Sequence, residues 1–339
     1  MHSLKYILSF LLAAVFLYIA FQGVDLDKVF HTISQASIFW IVVLVVSMIF
    51  SHYLRALRWK IILSSVKKDA SMKNLFGALM VGYGVSCVVP RLGEVSRAVV
   101  LGKWEKLSRS SMFGTVILER IIDVIFLGLT IIISVIIWSR SLYDIFPWLK
   151  STIYITIFLL AAVIVFIYFL VRFKERFYGW IIKIIGRFSS KGANKAAYIF
   201  DMLTQGFASL RGARNYFYTI VLSALIMVVY AFNAYLGFFT LGMENMQHVT
   251  FEMGWVLMSI SAIGVVIPTP GAIGSYEALT KAALVLLFGF GDSISLAYAV
   301  ITHALSYFLF IFAALISFFF LNKQHENLFK VVKTDLEEL

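Results

Sequence analysis

Long apolar runs separated by short polar segments dominate the hydropathy pattern of the chain. A helix that crosses the roughly 30 Å hydrocarbon layer of a bilayer needs about 20 mainly apolar residues. The pattern predicts six spanning helices, at residues 4–22, 38–63, 111–138, 150–171, 216–241 and 293–321. The first run follows a short basic start, but no small-residue cleavage site follows it. We therefore interpret it as a retained helix and not as a signal peptide.

Two further apolar stretches are interrupted by proline and glycine. Residues 74–102 and 253–289 each divide into two arms of roughly 12–17 residues, which are too short to span a bilayer. Proline removes a backbone donor and glycine relaxes a helix, so we expect each break to be the tip of a re-entrant hairpin. The expected tip residues are Pro90 and Gly93, and Pro268 and Pro270.

Composition agrees with an all-α integral membrane protein that forms a single polytopic domain over residues 1–339. Hydrophobic residues make up 61% of the chain and charged residues 14%, against about half and about 25% in soluble domains. The formal net charge is +11. No basic stripe is interleaved with aromatic residues, so this charge does not indicate nucleic-acid binding.

The distribution of lysine and arginine predicts the orientation. Most of these residues lie at the chain ends, in two short segments at 55–73 and 103–109, and in the connection 172–215, whereas the opposite loops hold only Lys28, Arg140 and Lys150. The positive-inside rule places both termini in the cytoplasm of a cell (inner) membrane protein. The cytoplasmic connection is either an amphipathic segment on anionic lipid or a solvated linker, and both interpretations stay open.

A shift of 178 positions superimposes two parts of the sequence. Pro90 then falls on Pro268 and Gly93 on Gly271, and the flanking spans follow. The predicted halves are residues 38–138 and 216–321. Their hairpins would enter from opposite sides of the membrane. Such inverted-topology repeats are common in transporters, whose sites lie near the bilayer midplane.

Charged residues within the apolar stretches are the first candidates for a functional site, because burying each one costs roughly 2.5–3.5 kcal/mol on insertion scales. The first hairpin carries three such residues at spacing three, and the third span carries three more. These six candidates for binding the headgroup of a membrane lipid are Arg91, Glu94, Arg97, Glu119, Arg120 and Asp123. The alternative is that they pair with one another and only orient the hairpin.

The second hairpin supplies Gly271, Gly274 and Glu277 as further candidates, because a helix that starts at a hairpin tip directs unpaired N–H groups at the bilayer centre. Glu277 and Lys281 stand at i, i+4, the spacing of a stabilising pair, so a purely structural role is also open.

Five other polar residues have mainly structural expectations. Arg55, Arg58 and Trp59 are expected at the cytoplasmic interface, as side chains that snorkel towards water. Asn233 and His303 lie deep in spans of the second half, where a lone polar side chain more often bonds a neighbouring helix than a ligand.

Sequence signatures of several enzyme and pump classes are missing. The chain has no Gly-rich loop ending in Gly-Lys-Ser/Thr, no His-Glu-x-x-His or paired cysteines, and no Gly-x-Ser-x-Gly elbow. We therefore expect no metal, no cofactor and no ATP use by this chain. Transport would be downhill or ion-coupled, with Glu94, Glu119 and Asp123 as candidate proton carriers.

Four segments resemble the flippase-like transmembrane domain of lysylphosphatidylglycerol synthases, the multiple peptide resistance factor type. They are Val89–Ala98, with its Pro-x-Arg-x-Gly-Glu-x-x-Arg pattern, Leu118–Asp123, Pro268–Glu277 and Arg55–Trp59. The resemblance covers essentially the whole chain. It implies a bacterial or archaeal membrane protein of a family whose two-part members move aminoacylated phospholipid between leaflets.

The chain departs from that family in two respects. About 18 residues follow the last predicted span, which leaves no room for the soluble aminoacyl-transferase domain, and Ala272 stands where a second glycine is usual. We expect a translocator of an anionic or aminoacylated phospholipid or lipid-linked headgroup. A membrane-embedded transferase with Glu94 or Asp123 as general base, or a non-catalytic partner subunit, is the alternative. Expected partners are membrane lipids, a second copy of the chain or a separate lipid-modifying enzyme.

Overall fold

The structure, a computed structural model, describes residues 2–64, 66–89, 92–138 and 212–321, with scattered positions between 154 and 197. Every regular element within these residues is a helix, and the apolar spans make the chain a multi-pass membrane protein. The predicted all-α membrane class is confirmed. Most of the predicted span 150–171 and of the connection 172–215 lies outside the described residues, as do the tip residues Pro90 and Arg91.

The described ranges contain ten α-helices. They are α1 (His2–Phe21), α2 (Leu26–Ser34), α3 (Ile38–Leu63), α4 (Met72–Val88), α5 (Leu92–Glu105), α6 (Arg109–Ile137), α7 (Ala213–Thr240), α8 (Phe251–Val266), α9 (Ser275–Leu286) and α10 (Asp292–Leu321). Two short 3-10 turns occupy Met243–Asn245 and Pro270–Ala272.

Four helices, α3, α6, α7 and α10, are each long and apolar enough to cross a membrane. The pair α1 and α2, bent by 85° at their junction, supplies at most a fifth span. Large apolar side chains such as Phe308, Phe312 and Phe319 of α10 point outward and are exposed, as expected of a surface that contacts lipid tails. Helix α2 occupies a segment where we expected a loop. Asp25 caps it by accepting a hydrogen bond from the Lys28 N–H.

Both expected hairpins are present. Helices α4 and α5 are the arms of the first, and α8 and α9 are the arms of the second. Gly93 lies in the first turn of α5 and not in the break, and a Cβ added there would overlap the carbonyl oxygen of Gly82 on α4. Close approach of the two arms therefore requires glycine at this crossing.

The second arm of the second hairpin begins later than expected, at Ser275 and not near residue 271. The sequence Pro270-Gly271-Ala272 forms a 3-10 turn in which Gly271 and Ala272 have positive φ values of 56° and 63°. Gly274, with φ of 84°, completes the turn into α9. This tip is thus a folded loop of left-handed residues between the two helical arms.

Helix ends gather on two opposite faces of the protein. On the first face, Asn215 at the start of α7 donates to Ser64 at the end of α3 over 3.2 Å. Lys67 forms a 2.7 Å ion pair with Glu105 at the end of α5. The hydrogen bond with Glu105 raises the pKa of Lys67. This face also carries Lys68, Lys73, Lys103 and Lys106.

On the second face, the Ser37 N–H at the start of α3 donates to the Thr240 carbonyl at the end of α7 over 2.9 Å. Gln247, before α8, donates to the Phe288 carbonyl, after α9, over 2.9 Å. The first hairpin therefore has its ends on the first face, and the second hairpin has its ends on the second. The acidic residues of this face include Asp25, Asp27, Glu244, Glu252 and Asp292.

Helix contacts in one half have counterparts in the other. Helix α3 packs on α4 as α7 packs on α8, and α5 packs on α6 as α9 packs on α10. The first arm of each hairpin packs against the last helix of the opposite half, α4 on α10 and α8 on α6, while α3 and α7 pack on each other. This is the contact pattern that an inverted repeat would produce.

Alanine at two glycines of α5 will test the hairpin crossing. Gly93→Ala should lower the unfolding midpoint in detergent, because overpacking costs typically 1–3 kcal/mol. Gly102→Ala is the matched control, since its Cβ would meet Leu107 and Met112 at an ordinary 3.4 Å and alanine favours the helix. Equal midpoints for both variants would contradict the close crossing.

Cysteine labelling will test the two faces. In a Cys87→Ser background, Asp69→Cys on the first face and Met246→Cys on the second place single thiols at exposed positions. An impermeant maleimide added to intact cells should label Met246→Cys only, and Asp69→Cys should react after the cells are opened. Labelling of both from one side would contradict opposite entry of the hairpins.

Candidate functional site

Helices α3, α5 and α6 bring seven charged side chains together where the first hairpin meets the spanning helices. We call this group the arginine cluster. Its members are Arg55, Arg58, Glu94, Arg97, Glu119, Arg120 and Asp123. Two of the seven lie on α3, two on α5, the second arm of the hairpin, and three on α6.

Glu119 is the centre of the arginine cluster and is fully buried. Its Oε1 accepts hydrogen bonds from Arg55 at 2.9 Å and from Arg58 at 3.1 Å. Its Oε2 accepts one from Arg97 at 2.7 Å. One carboxylate therefore ties α6 to both α3 and the first hairpin. A buried charge is tolerated only with such compensation.

Asp123 lies one turn further along α6, and the same two arginines bridge it to Glu119. Its Oδ2 accepts from Arg55 at 2.8 Å and its Oδ1 from Arg58 at 2.5 Å. The i, i+4 spacing of the carboxylates and the i, i+3 spacing of the arginines put each pair on one helix side. The two sides face each other.

The expectation that Arg55, Arg58 and Trp59 are interfacial anchors is wrong. Arg58 and Trp59 are fully buried, and Arg55 is only 6% exposed. The Trp59 indole donates to Thr115 over 3.1 Å, and the Arg97 guanidinium lies 5.1 Å from the Trp59 ring centroid. Arg55 and Arg58 pair with two buried carboxylates on α6 instead of reaching interfacial water. If the arginines pointed to water, these carboxylates would be buried without a counter-charge.

Helix α7 supplies two partners that the sequence did not single out. Ser223 accepts from Arg58 at 2.9 Å, and Tyr230 accepts from Arg55 at 3.2 Å. They lie seven residues apart and so share one side of the helix. Serine and tyrosine are common in apolar spans, and this spacing was the one available signal. Asn233, on the same helix, has a buried side-chain oxygen without a hydrogen-bond partner among the described residues.

A small cleft opens beside the arginine cluster, between the arms of the first hairpin and α6. Leu79, Gly82, Tyr83, Ser86, Gly93, Glu94, Arg97 and Arg120 line it. Glu94 and Arg120 form an ion pair at its mouth, and their side chains are 44% and 38% exposed. As it stands, the cleft has room for about one water molecule.

The arginine cluster carries an excess positive charge and unused donors. Four guanidinium groups face three carboxylates, which leaves one positive charge among the described members. Arg97, 2% exposed, lines the cleft, and its Nε and Nη2 have no hydrogen-bond partner within the described residues. A buried donor without an acceptor is costly. The arrangement therefore suits an anionic oxygen.

The second hairpin forms a separate polar site at its tip. The Glu277 Oε2 accepts the Gly274 N–H at 2.7 Å, and Oε1 lies 2.5 Å from His303 Nδ1. His303 Nε2 donates to the Gly271 carbonyl over 3.1 Å. Gly271, Gly274 and Glu277 are thus brought together, and they are joined by His303, for which we expected a bond to a neighbouring helix more than a functional role.

The expected pair between Glu277 and Lys281 does not form. Lys281 instead donates to the Gln22 carbonyl over 2.8 Å and pairs with Asp292 at 3.0 Å. Glu277 is the third residue of α9, where its carboxylate reaches back to the N-cap, as in a capping box. This direction leads away from Lys281.

The described residues contain no group of three His, Cys, Asp or Glu side chains that could hold a metal ion. The candidate site consists of the arginine cluster and its cleft, with the tip of the second hairpin as a second polar centre. Its charges are held by ion pairs between helices.

Fold and site together define a polytopic helical membrane protein with two broken-helix hairpins and a buried arginine cluster. Residues 6–314 match the family described as the lysylphosphatidylglycerol synthase TM region, so the chain belongs to this family. No solved structure matches the chain.

Two curated relatives are similar over much of the sequence. A UPF0104 membrane protein of Methanothermobacter thermautotrophicus is 26% identical over 274 residues, which are 75% of this chain and 77% of the relative. A UPF0104 membrane protein of Methanocaldococcus jannaschii is 26% identical over 200 residues, 58% of this chain and 55% of the relative. Both relatives are described as membrane proteins.

Removal of Arg58 will test whether the arginine cluster holds the fold. Arg58→Ala takes one partner from both Glu119 and Asp123, so we expect a loss of about 3–5 kcal/mol in stability. The loss is measured as a lower unfolding temperature in detergent, monitored by size-exclusion chromatography of heated samples. Lys60→Ala, two residues along α3 and outside the cluster, is the control. An equal, small effect of both substitutions would return Arg58 to an interfacial role.

Proposed function

We propose that this protein moves an anionic or aminoacylated phospholipid, or a lipid-linked headgroup, between the leaflets of the cell membrane. Membership of the lysylphosphatidylglycerol synthase TM region family supports a role connected with membrane lipids. The observation that carries the proposal is Arg97, a buried cation beside a cleft, whose Nε and Nη2 have no hydrogen-bond partner among the described residues.

A lipid phosphate is the ligand that these donors fit best. The planar guanidinium group can donate parallel hydrogen bonds to two phosphate oxygens. Helix α5 begins at Leu92, so the partial positive charge of its N-terminus, about half a unit, lies near the same cleft, which Gly93 and Glu94 line. The excess positive charge of the arginine cluster would be neutralised by one phosphate anion.

The ion pair between Glu94 and Arg120 is the gate of the proposed site. It stands at the mouth of a cleft that holds about one water molecule, so a headgroup can enter only if the pair separates. Once separated, Arg120 can contribute a second guanidinium to the phosphate. Glu94 can bind the amine of an aminoacylated headgroup.

The arrangement of the hairpins suits alternating access. Glu119 lies ten residues after the start of α6, which is about 15 Å along the helix and near the middle of a 30 Å layer. The first and second hairpins have their ends on opposite faces. We propose that the first face, rich in lysine, is cytoplasmic and that the chain termini lie there. The two halves would then be the inverted repeat of a transporter.

Transport by proteoliposomes will test the proposal. Purified protein in vesicles with fluorescent phosphatidylglycerol should expose the probe to an added quencher faster than protein-free vesicles. Arg97→Lys keeps a charge for Glu119 but removes the unused fork, so the initial rate should fall roughly 10-fold, as the loss of one charged hydrogen bond of about 1.5 kcal/mol predicts.

The controls separate transport from other outcomes. Lys103→Ala changes an exposed cation on the same helix and should transport at the parent rate. Monodisperse elution of Arg97→Lys excludes misfolding. Equal transport by parent and Arg97→Lys would remove Arg97 from the site. A new covalent lipid species in mass spectra, without any change in leaflet distribution, would favour the transferase over the translocase.

A further inference from the structure

The tip of the second hairpin carries a buried glutamate and histidine that the proposed headgroup site does not use. Their side chains are 9% and 11% exposed, and Glu277 Oε1 lies 2.5 Å from His303 Nδ1. The Gly271 carbonyl and the Gly274 N–H complete their hydrogen bonds. These four groups connect α9 and α10 to the left-handed tip.

The hydrogen bonds of the His303 ring require a proton that is shared with Glu277. The Gly271 carbonyl can only accept, so His303 Nε2 must carry a hydrogen. The contact at Nδ1 then has two descriptions, an imidazolium beside a carboxylate or a neutral imidazole that accepts from a protonated Glu277. Both contain one proton more than a neutral histidine beside a carboxylate.

We propose that Glu277 and His303 form a proton-binding site that holds the second hairpin tip closed and couples lipid movement to a proton gradient. The coupling rests on the proposed function, whereas proton binding itself does not. When the shared proton passes to water, the Nδ1 lone pair faces a carboxylate oxygen at 2.5 Å. The two acceptors then repel, and the hydrogen bond between Glu277 and His303 is lost.

Loss of the hydrogen bond between Glu277 and His303 would affect the backbone conformation of the tip. Gly271, Ala272 and Gly274 all have positive φ values, and the left-handed conformation costs a residue such as alanine roughly 1–2 kcal/mol. Bonds from His303 and Glu277 help to hold this conformation. The 3-10 turn also packs against α4 and α1. Release of the tip would therefore change the surface that the first hairpin meets.

Within the described part of the chain, no ion pair joins Glu277 or His303 to a further charged side chain. Its titratable neighbours are Tyr276 and Tyr307, whose rings lie 4.7 and 5.0 Å from the imidazole, and the Cys87 thiol of α4 beyond Tyr307. Lys281 is directed to Asp292 on the second face. The described side chains of α1 and α8 next to the tip are apolar or small.

The carboxylates that we first considered as proton carriers are less suited to the task. Glu119 and Asp123 are each bonded to at least two arginines, and Glu94 is paired with Arg120. Protonation of any of them would remove one negative charge from a cluster that already carries an excess positive charge. The pair at the second tip can gain or lose a proton without breaking the arginine cluster.

Alkylation of the native Cys87 by N-ethylmaleimide will test proton binding without any transport. Cys87 is the one cysteine of the sequence and lies half-buried on α4, the helix against which the tip packs. Glu277→Gln is the sharp variant, because its amide can donate to a neutral His303 and accept from Gly274 at every pH, as a protonated glutamate does. In micelles, the ratio of parent to Glu277→Gln alkylation rates should rise at least about 5-fold between pH 6 and pH 8.5.

The ratio cancels the intrinsic pH dependence of the thiol, which both proteins share. Tyr276→Phe removes the hydroxyl bonded to Thr302 but keeps the ring beside His303, so it should retain the response of the parent. In proteoliposomes, an imposed pH gradient should change the transport rate of fluorescent phosphatidylglycerol by the parent and by Tyr276→Phe, but not by Glu277→Gln.

The two proposals fail in different ways. A flat alkylation ratio would overturn the proton site even if the parent transports lipid. A rising ratio with no lipid transport would keep the proton site and overturn both the proposed function and its coupling. Transport that responds equally to the gradient in the parent and in Glu277→Gln would overturn the coupling alone.

Discussion

The structure depends on one fully buried carboxylate, that of Glu119. Three guanidinium groups from two other helices bond to it, two from α3 and one from the first hairpin. Hydrophobic burial gives helices in a bilayer little reason to choose one neighbour over another, since lipid tails are as apolar as leucine. An ion pair that must be satisfied is selective. The ion pairs of Glu119 therefore fix which side of α3 faces α6 and how the second arm of the first hairpin is placed against α6.

The helical class, the two hairpins and most helix bounds could be predicted from the sequence, because run length and proline breaks report directly on spans and tips. The burial of the two arginines of α3, Arg55 and Arg58, could not be predicted. A basic residue near the end of a span has two low-energy solutions, a water interface or a buried carboxylate. The choice between them depends on where α6 lies, and hydropathy does not encode that.

The second hairpin illustrates the same limit at shorter range. The i, i+4 spacing of Glu277 and Lys281 predicted a pair, but a glutamate in the first turn of a helix competes for the N-cap and for groups on other helices. In the structure, the Glu277 carboxylate bonds to the backbone N–H of Gly274 and to the ring of His303 instead of to Lys281. The late start of α9 has a local cause, since Pro270 and two left-handed residues make a turn before the helix can begin.

The crossed packing of the hairpins constrains how the chain is made. Helix α4 lies against α10, and Gly84 on α4 approaches Ala314 so closely that a Cβ on the glycine would displace it. More than two hundred residues separate these partners along the chain. During synthesis the first hairpin must therefore wait in the membrane, with its neighbour missing, until the last described helix has been inserted. The charged side chains of the hairpin do not have to wait for their partners in this way. Helices α3 and α6 flank the hairpin in sequence, so the counter-ions of its charged side chains are inserted early.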